Sequence, residues 1–144
     1  FIQLASEINT GMPAYWVGKV QDALNNVGKP VKESRIVVLG VTYKRNVPDT
    51  RESPALDIIS LLLEKEADVG YHDPLCPVLN TELFTMVSLT DSELQTELEE
   101  ADCVLIVTEH TSYDWQLVLD NEALIVDTRN AVGRLARREA KANP

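Results

Sequence analysis

The run RIVVLG at residues 35–40 narrows the possible folds of this chain more than any other stretch. It is apolar, rich in β-branched residues and free of polar alternation, which is the pattern of a strand buried on both faces at the centre of a parallel sheet. Ser53 and Pro54 then form a helix start, because the serine oxygen accepts an orphan N–H and proline has none to leave unpaired. Leu56, Ile59 and Leu63 follow at helical spacing. Strand and helix are separated by twelve residues, 41–52, where about two to six are usual. A long loop at the C-terminal end of a central strand is where α/β proteins keep ligand sites.

The cations around that loop stand out against the rest of the chain, whose formal net charge is -10. Positions 52–127 carry 18 acidic residues and a single basic one, Lys65. Lys44, Arg45 and Arg51 precede this acidic tract, and Arg129 follows another apolar strand pattern at residues 124–128. In a parallel sheet Lys44, Arg51 and Arg129 share its C-terminal side. Arg51 also lies just ahead of a helix N-terminus, whose free N–H groups favour anions. Three cues thus predict an anion site; the alternative is that these cations are solvated or paired with Asp49, Glu52 and Asp127.

With 144 residues, 44% of them hydrophobic, the chain has material for one core. Its acidity argues against nucleic acid and anionic membrane as partners, since both require an extended basic face. No run of about 18 apolar residues and no basic segment leading into an apolar core occurs. The expectation is a soluble, cytoplasmic protein. Two cysteines, Cys76 and Cys103, are too few for a disulfide framework or a tetrahedral metal site, so no metal is expected. Cys103 reads as core and Cys76 as loop, while His72 and His110 read as strand-end positions, not as ligands or bases.

Taken in order, the chain opens inside a helical pattern without an initial methionine, which suggests a piece of something longer. Leu4, Ile8, Met12, Tyr15, Trp16, Val20, Leu24 and Val27 recur at helical spacing, with Pro13 predicting a kink or restart near residues 9–13. Such a helix either covers its own sheet entirely or leaves part of its length for a second subunit or a neighbouring domain. Further strands are expected at 68–71, 86–89, 103–108 and 124–128. Helices are expected after Thr90 or Asp91 and over 113–119. This alternation predicts a doubly wound, mostly parallel Rossmann-like α/β sheet preceded by a long N-terminal helix.

A nicotinamide-binding Rossmann unit carries G-x-G-x-x-G after its first strand. Here residues 40–45 read GVTYKR, with one glycine, and Asp73 stands where a ribose-binding acid would be. Recognition of phosphate in this loop must therefore use side-chain cations, and the chain is not expected to hold a dinucleotide alone.

The same residues carry a resemblance. Gly40, Tyr43, Lys44, Asn46, Asp49, Arg51, Ser53 and Pro54 resemble, at the same intervals, the signature of the C-terminal nucleotide-sugar-binding domain of the UDP-glucose/GDP-mannose dehydrogenase family. The stretch YHDP at 71–74 and VDTRN at 126–130 resemble later parts of that domain. EINT at 7–10 with Met12 and Pro13 is similar to its connecting helix. Pro48 departs from the family, which commonly has an acidic residue there. The wording VTYK and RESP is most similar to members acting on UDP-N-acetylhexosamines.

The resemblance implies a connecting and dimerisation helix at residues 1–30 and a nucleotide-sugar-binding domain at 31–144. It implies a parent enzyme that oxidises the sugar C6 alcohol to a uronate with NAD, in two hydride transfers through a thiohemiacetal on a cysteine, for polysaccharide biosynthesis. Tyr43, Lys44 and Arg129 would contact the UDP-sugar, Arg51 would reach NAD phosphate, and Asp49 would orient the loop. Neither Cys76 nor Cys103 corresponds to the family's nucleophile, so no catalytic residue is expected in this stretch. The implied partners are an absent N-terminal NAD-binding domain and, through the first helix, a second copy in a homodimer. A free-standing nucleotide-binding or dimerisation module with a regulatory role is the competing reading.

Overall fold

The computed structural model describes residues 2–121 and 124–132, with side chains from residue 12 onward. Helix α1 spans Ile2–Asn26 and runs through Pro13 as one helix, so of the expected kink or restart the restart does not occur. The proline costs one backbone hydrogen bond, while the following turns are fixed by Val17, Val20 and Leu24, all buried in the core. Strand β1 (Arg35–Leu39) follows, then the long loop and α2 (Pro54–Glu64). Ser53 caps α2 as expected: its backbone is extended and its Oγ accepts from the Ala55 N–H at 3.2 Å. Ile58, Ile59 and Leu62 are fully buried, each contributing about 2 kcal/mol of transfer free energy.

Strand β2 (Asp68–His72) pairs in parallel with β1. The expected strand at 86–89 is a different object. Residues Val78–Asn80 (β3) and Thr85–Val87 (β4) form a separate antiparallel hairpin, in which Leu79 faces Met86. Strands of three residues are too short to show periodicity, which is why β3 escapes the sequence pattern. Helix α3 (Asp91–Glu100) is capped by Thr90, not Asp91, in a capping box with Glu93. Strand β5 (Cys103–Ile106), helix α4 (Trp115–Leu119) and strand β6 (Leu124–Asp127) complete the described chain. The last helix starts two residues later than predicted, because Asp114 caps it and Tyr113 is buried beneath.

The main sheet is parallel, in the order β2-β1-β5-β6. Ile36 and Val38 pack beneath α1 and α2, while Val37 and Leu39 pack against α3 and α4. Both faces are covered, so the fold is doubly wound and every residue of the 36–39 run is buried. From β1 the chain moves outward to β2, and from β5 it moves the other way to β6. The strand order therefore reverses between β1 and β5, and the crevice above their C-terminal ends is the topological switch point of the sheet. Lys29 clips the end of the first connection to the start of β5, its Nζ lying 2.7 Å from Asp102 Oδ1. That hydrogen bond, with a second from the Arg35 N–H, holds the Asp102 carboxyl below its ordinary range.

Candidate functional site

A cavity of about 500 Å³ opens over the switch point. The long loop supplies Tyr43, Lys44 and Glu52, and α2 supplies Pro54 and Ile58. Val107 and Thr108 come from the end of β5, Thr128 and Arg129 from the end of β6, and Met12 and Trp16 form a wall from α1. A more open hollow of about 570 Å³ adjoins it, between Lys44, Arg45, Asn46 and Val47 on one side and Glu109 and Arg129 on the other. A third, of about 320 Å³, is bounded by Tyr43, Asp49, Arg51 and Glu52. Lys44 and Arg129, 85 positions apart in sequence, thus face the same two hollows. Arg51 faces a neighbouring one, sharing Tyr43 and Glu52 with the main cavity.

The loop reaches this position through Gly40. Its φ is +83°, and a Cβ there would collide with the carbonyl oxygen of Thr108. Only glycine lets the end of β1 pass this close to the end of β5. Beyond it, the Tyr43 N–H donates to the Asp49 carbonyl at 2.6 Å, closing the loop on itself. The Thr108 hydroxyl donates to the Thr42 carbonyl at 2.7 Å and ties the loop to β5.

The cations differ in how they are held. Arg51 is exposed and lies against Asp49, with Nη2 to Oδ2 at 2.9 Å. The Asp49 carboxyl is pulled below its usual range by hydrogen bonds from the Arg51 guanidinium and backbone, and the Arg51 guanidinium is raised by the same contact. Arg129 Nε donates to Glu109 Oε2 at 2.9 Å. Lys44, exposed at the cavity mouth, makes no ion pair among the described residues. Pairing of the two arginines was one of the alternatives open from sequence, with Glu109 in place of Glu52 or Asp127.

Asp73 does not present a carboxylate to the crevice. Its side chain is fully buried, Oδ2 accepting the Val41 N–H at 2.7 Å and Oδ1 the Leu75 N–H at 2.8 Å. The histidines at the strand ends are also interior: His110 is 1% exposed and His72 4%. His72 Nε2 lies 2.7 Å from Asp91 Oδ1, and the Tyr113 hydroxyl donates to the His72 carbonyl at 2.6 Å. Burial raises the Tyr113 phenol well above its ordinary range. Cys103 is buried and its thiol is pushed up to about 12, while burial also raises Cys76.

Sequence reasoning missed Met12, Trp16, Thr108 and Thr128 as lining residues. Thr108 and Thr128 were legible in principle, since each lies just beyond the C-terminal end of a parallel strand, on the side where the loop lies. Trp16, read as one of the residues at helical spacing, packs on the core and walls the cavity. Tyr15, edge-on to Trp16 and half exposed, is the outward aromatic.

Comparison with known proteins agrees with this arrangement. The UDP binding domain of the UDP-glucose/GDP-mannose dehydrogenase family matches residues 37–134. This chain belongs to that family. It is 36% identical to a UDP-N-acetyl-D-mannosamine dehydrogenase of Methanococcus maripaludis, over 78% of this chain and 24% of that protein. The solved UDP-D-ManNAc dehydrogenase of Pyrococcus horikoshii superposes with a TM-score of 0.69 at 30% identity, over 90% of this chain and 29% of that one. An NDP-N-acetyl-D-galactosaminuronic acid dehydrogenase of Methanosarcina mazei gives 0.71 at 28% identity, over 88% and 27%. The chain therefore spans between 24% and 29% of the length of these dehydrogenases, and within the family its resemblance is to the UDP-N-acetylhexosamine branch.

Proposed function

We propose that this chain is the nucleotide-sugar-binding part of an NAD-dependent UDP-N-acetylhexosamine 6-dehydrogenase. The supporting observation is Lys44: a cation without an ion pair among the described residues, in a chain of net charge -10, set beside Arg129 over a cavity at the switch point. Lys44 and Arg129 bind the diphosphate or sugar oxygens, and the half-exposed Tyr43 ring lies against the ligand. Arg51, facing outward from the next hollow, meets the pyrophosphate of NAD brought by another domain, and Asp49 holds it in place. The residues here fit only that contribution to NAD, since the glycine cradle for a dinucleotide is reduced to Gly40. Held there by Arg51, NAD would supply a hydride acceptor for the sugar C6 carbon.

Residues 1–30 act as the connecting helix and 31–144 as the binding domain. Tyr15, exposed on α1, belongs to a contact between two copies in a homodimer. No helix among the described residues is long and apolar enough to cross a membrane, which is compatible with a cytoplasmic enzyme of polysaccharide synthesis. A free-standing regulatory module is disfavoured, because the relatives that share this domain are dehydrogenases.

Titration of the chain with UDP tests the proposal. Charge-assisted contacts contribute about 1.5 to 3 kcal/mol each, so two or three give roughly millimolar binding after the cost of association. The expected result is a shift of NMR amide signals at residues 41–52 and at Arg129, with no NADH formed by this chain alone. Unchanged spectra at high UDP, or NADH production, would overturn it. Light scattering tests the dimer: Tyr15→Lys is expected to yield a monomer with an intact sheet.

A further inference from the structure

The backbone between Lys44 and Val47 belongs to no helix or strand, yet it carries the lysine of the site. Three tertiary hydrogen bonds fasten it. The Asn46 side-chain oxygen accepts from the Thr111 N–H at 3.1 Å and from its hydroxyl at 3.2 Å, and the Asn46 N–H donates to Nδ1 of His110 at 3.0 Å. Asn46 itself is left-handed, at φ 63°, so these contacts hold a conformation that the loop would not keep by backbone preference alone.

A backbone N–H is only a donor, so Nδ1 of His110 must present a lone pair and the ring proton must sit on Nε2. Nε2 lies 2.9 Å from Asp73 Oδ2 and 3.3 Å from Thr42 Oγ1. The Thr42 hydroxyl gives its own proton to the Lys44 carbonyl at 3.0 Å, so it offers the imidazole only lone pairs. Asp73 cannot turn away, because it is fixed by the N–H groups of Val41 and Leu75. A carboxylate at the end of β2 thereby dictates the tautomer of a histidine beyond β5, and the tautomer dictates where the Asn46 N–H is held.

We infer that His110 is a positioning residue for the anion loop, with Asp73 selecting its Nε2–H tautomer so that Nδ1 holds Asn46 and sets Lys44 over the cavity. The inference rests on the proposed binding of a nucleoside diphosphate at Lys44. Its test uses two substitutions that divide the imidazole between them. In His110→Asn the side-chain oxygen reaches the place of Nδ1 and still accepts the Asn46 N–H. In His110→Gln the amide reaches the place of Nε2 and keeps the Asp73 contact but loses Asn46.

The expected outcome is that His110→Asn binds UDP within about twofold of the parent chain and keeps the Asn46 amide protected from exchange, whereas His110→Gln weakens binding about fivefold and frees that amide, the effect of losing one hydrogen bond. Long-range ¹H–¹⁵N spectra of the unsubstituted chain should show the proton on Nε2, a readout that stands even if a variant fails to fold. A proton on Nδ1, or equal Asn46 exchange in both variants, would overturn the inference. Both readouts are taken without UDP, so failure of the chain to bind UDP would sink the proposed function while the tautomer and exchange data still decide the role of His110.

Discussion

Asp49 grips Arg51 at both ends of the same residue: Oδ1 accepts the Arg51 backbone N–H at 2.9 Å and its Nε at 3.1 Å, and Oδ2 accepts Nη2 at 2.9 Å. The arginine is thereby aimed before any ligand arrives. Its hydrogen bonds lower the Asp49 carboxyl in the folded chain. A lowered folded-state value means the pair favours folding above the unfolded carboxylate range, and that contribution is lost as pH falls through the folded value. Side-chain carboxyl NMR titration is expected to place Asp49 below an ordinary aspartate and to return it to normal in Arg51→Ala. The pair is exposed, so added salt should shrink the difference. An Asp49 titration that ignores Arg51→Ala would refute the gripping contact.

Lys44 and Arg45 are adjacent in sequence but differ in what they face. Lys44 lines the enclosed cavity and the open hollow, Arg45 only the latter. Lys44→Ala is expected to weaken UDP binding about tenfold or more, as for loss of a charge-assisted contact. Arg45→Ala should change it by about threefold or less, the effect of a screened surface charge. Equal losses measured by calorimetry or NMR titration would mean that the ligand sits in the open hollow instead.

Two left-handed residues flank the loop and should respond oppositely to substitution. At Gly40 an alanine would meet both positive φ and the Thr108 carbonyl, so Gly40→Ala is expected to cost about 3 kcal/mol or more in urea unfolding. Glu52 has φ 62° without being glycine. Glu52→Gly removes the Cβ strain at a small entropic cost and should be neutral or stabilising by about 0.5 kcal/mol. A clear loss of stability in Glu52→Gly would show that its carboxylate contributes more than its backbone costs.

The thiols should be inert in the native state. Cys103 is fully buried with its thiol pushed up to about 12, and Cys76 is raised in the same direction. At neutral pH neither is expected to react with a thiol reagent until the chain unfolds, and both should then react quickly. For Cys103 the raised folded-state value means that its contribution to stability is present below the unfolded thiol range and falls as pH rises through it toward about 12. Rapid labelling of Cys103 in the folded chain would contradict its place in the core.

The sequence revealed most where one physical cue acts locally. Residues 36–39 are buried on both faces and could be read as such from their unbroken apolar run, and Ser53 with Pro54 marked the start of α2 to the residue. The convergence of Lys44 and Arg129 was legible because a parallel sheet forces strand ends together. Trp16 was not, because the direction a helical residue faces depends on which side of α1 meets α2 and the sheet. The roles of Asp73, His72 and His110 were hidden for a related reason. A polar residue at a strand end reads as solvated until the partners that bury it, here from loops as much as 68 positions away, are known.

The hairpin of β3 and β4 also directs the chain back along the outer side of the main sheet. Strand β2 has β1 on one side only, and a bare strand margin offers its free N–H and C=O groups to any other chain. The segment leaving β4 covers the C-terminal end of that margin: the Leu89 N–H bonds to the Tyr71 carbonyl at 2.8 Å, and Ser88 Oγ takes the Asp73 N–H at 2.9 Å. Because these are two contacts in irregular backbone rather than a further strand, they terminate the hydrogen-bonding ladder instead of extending it. The C-terminal end of β2 is thereby closed to a pairing strand from another chain.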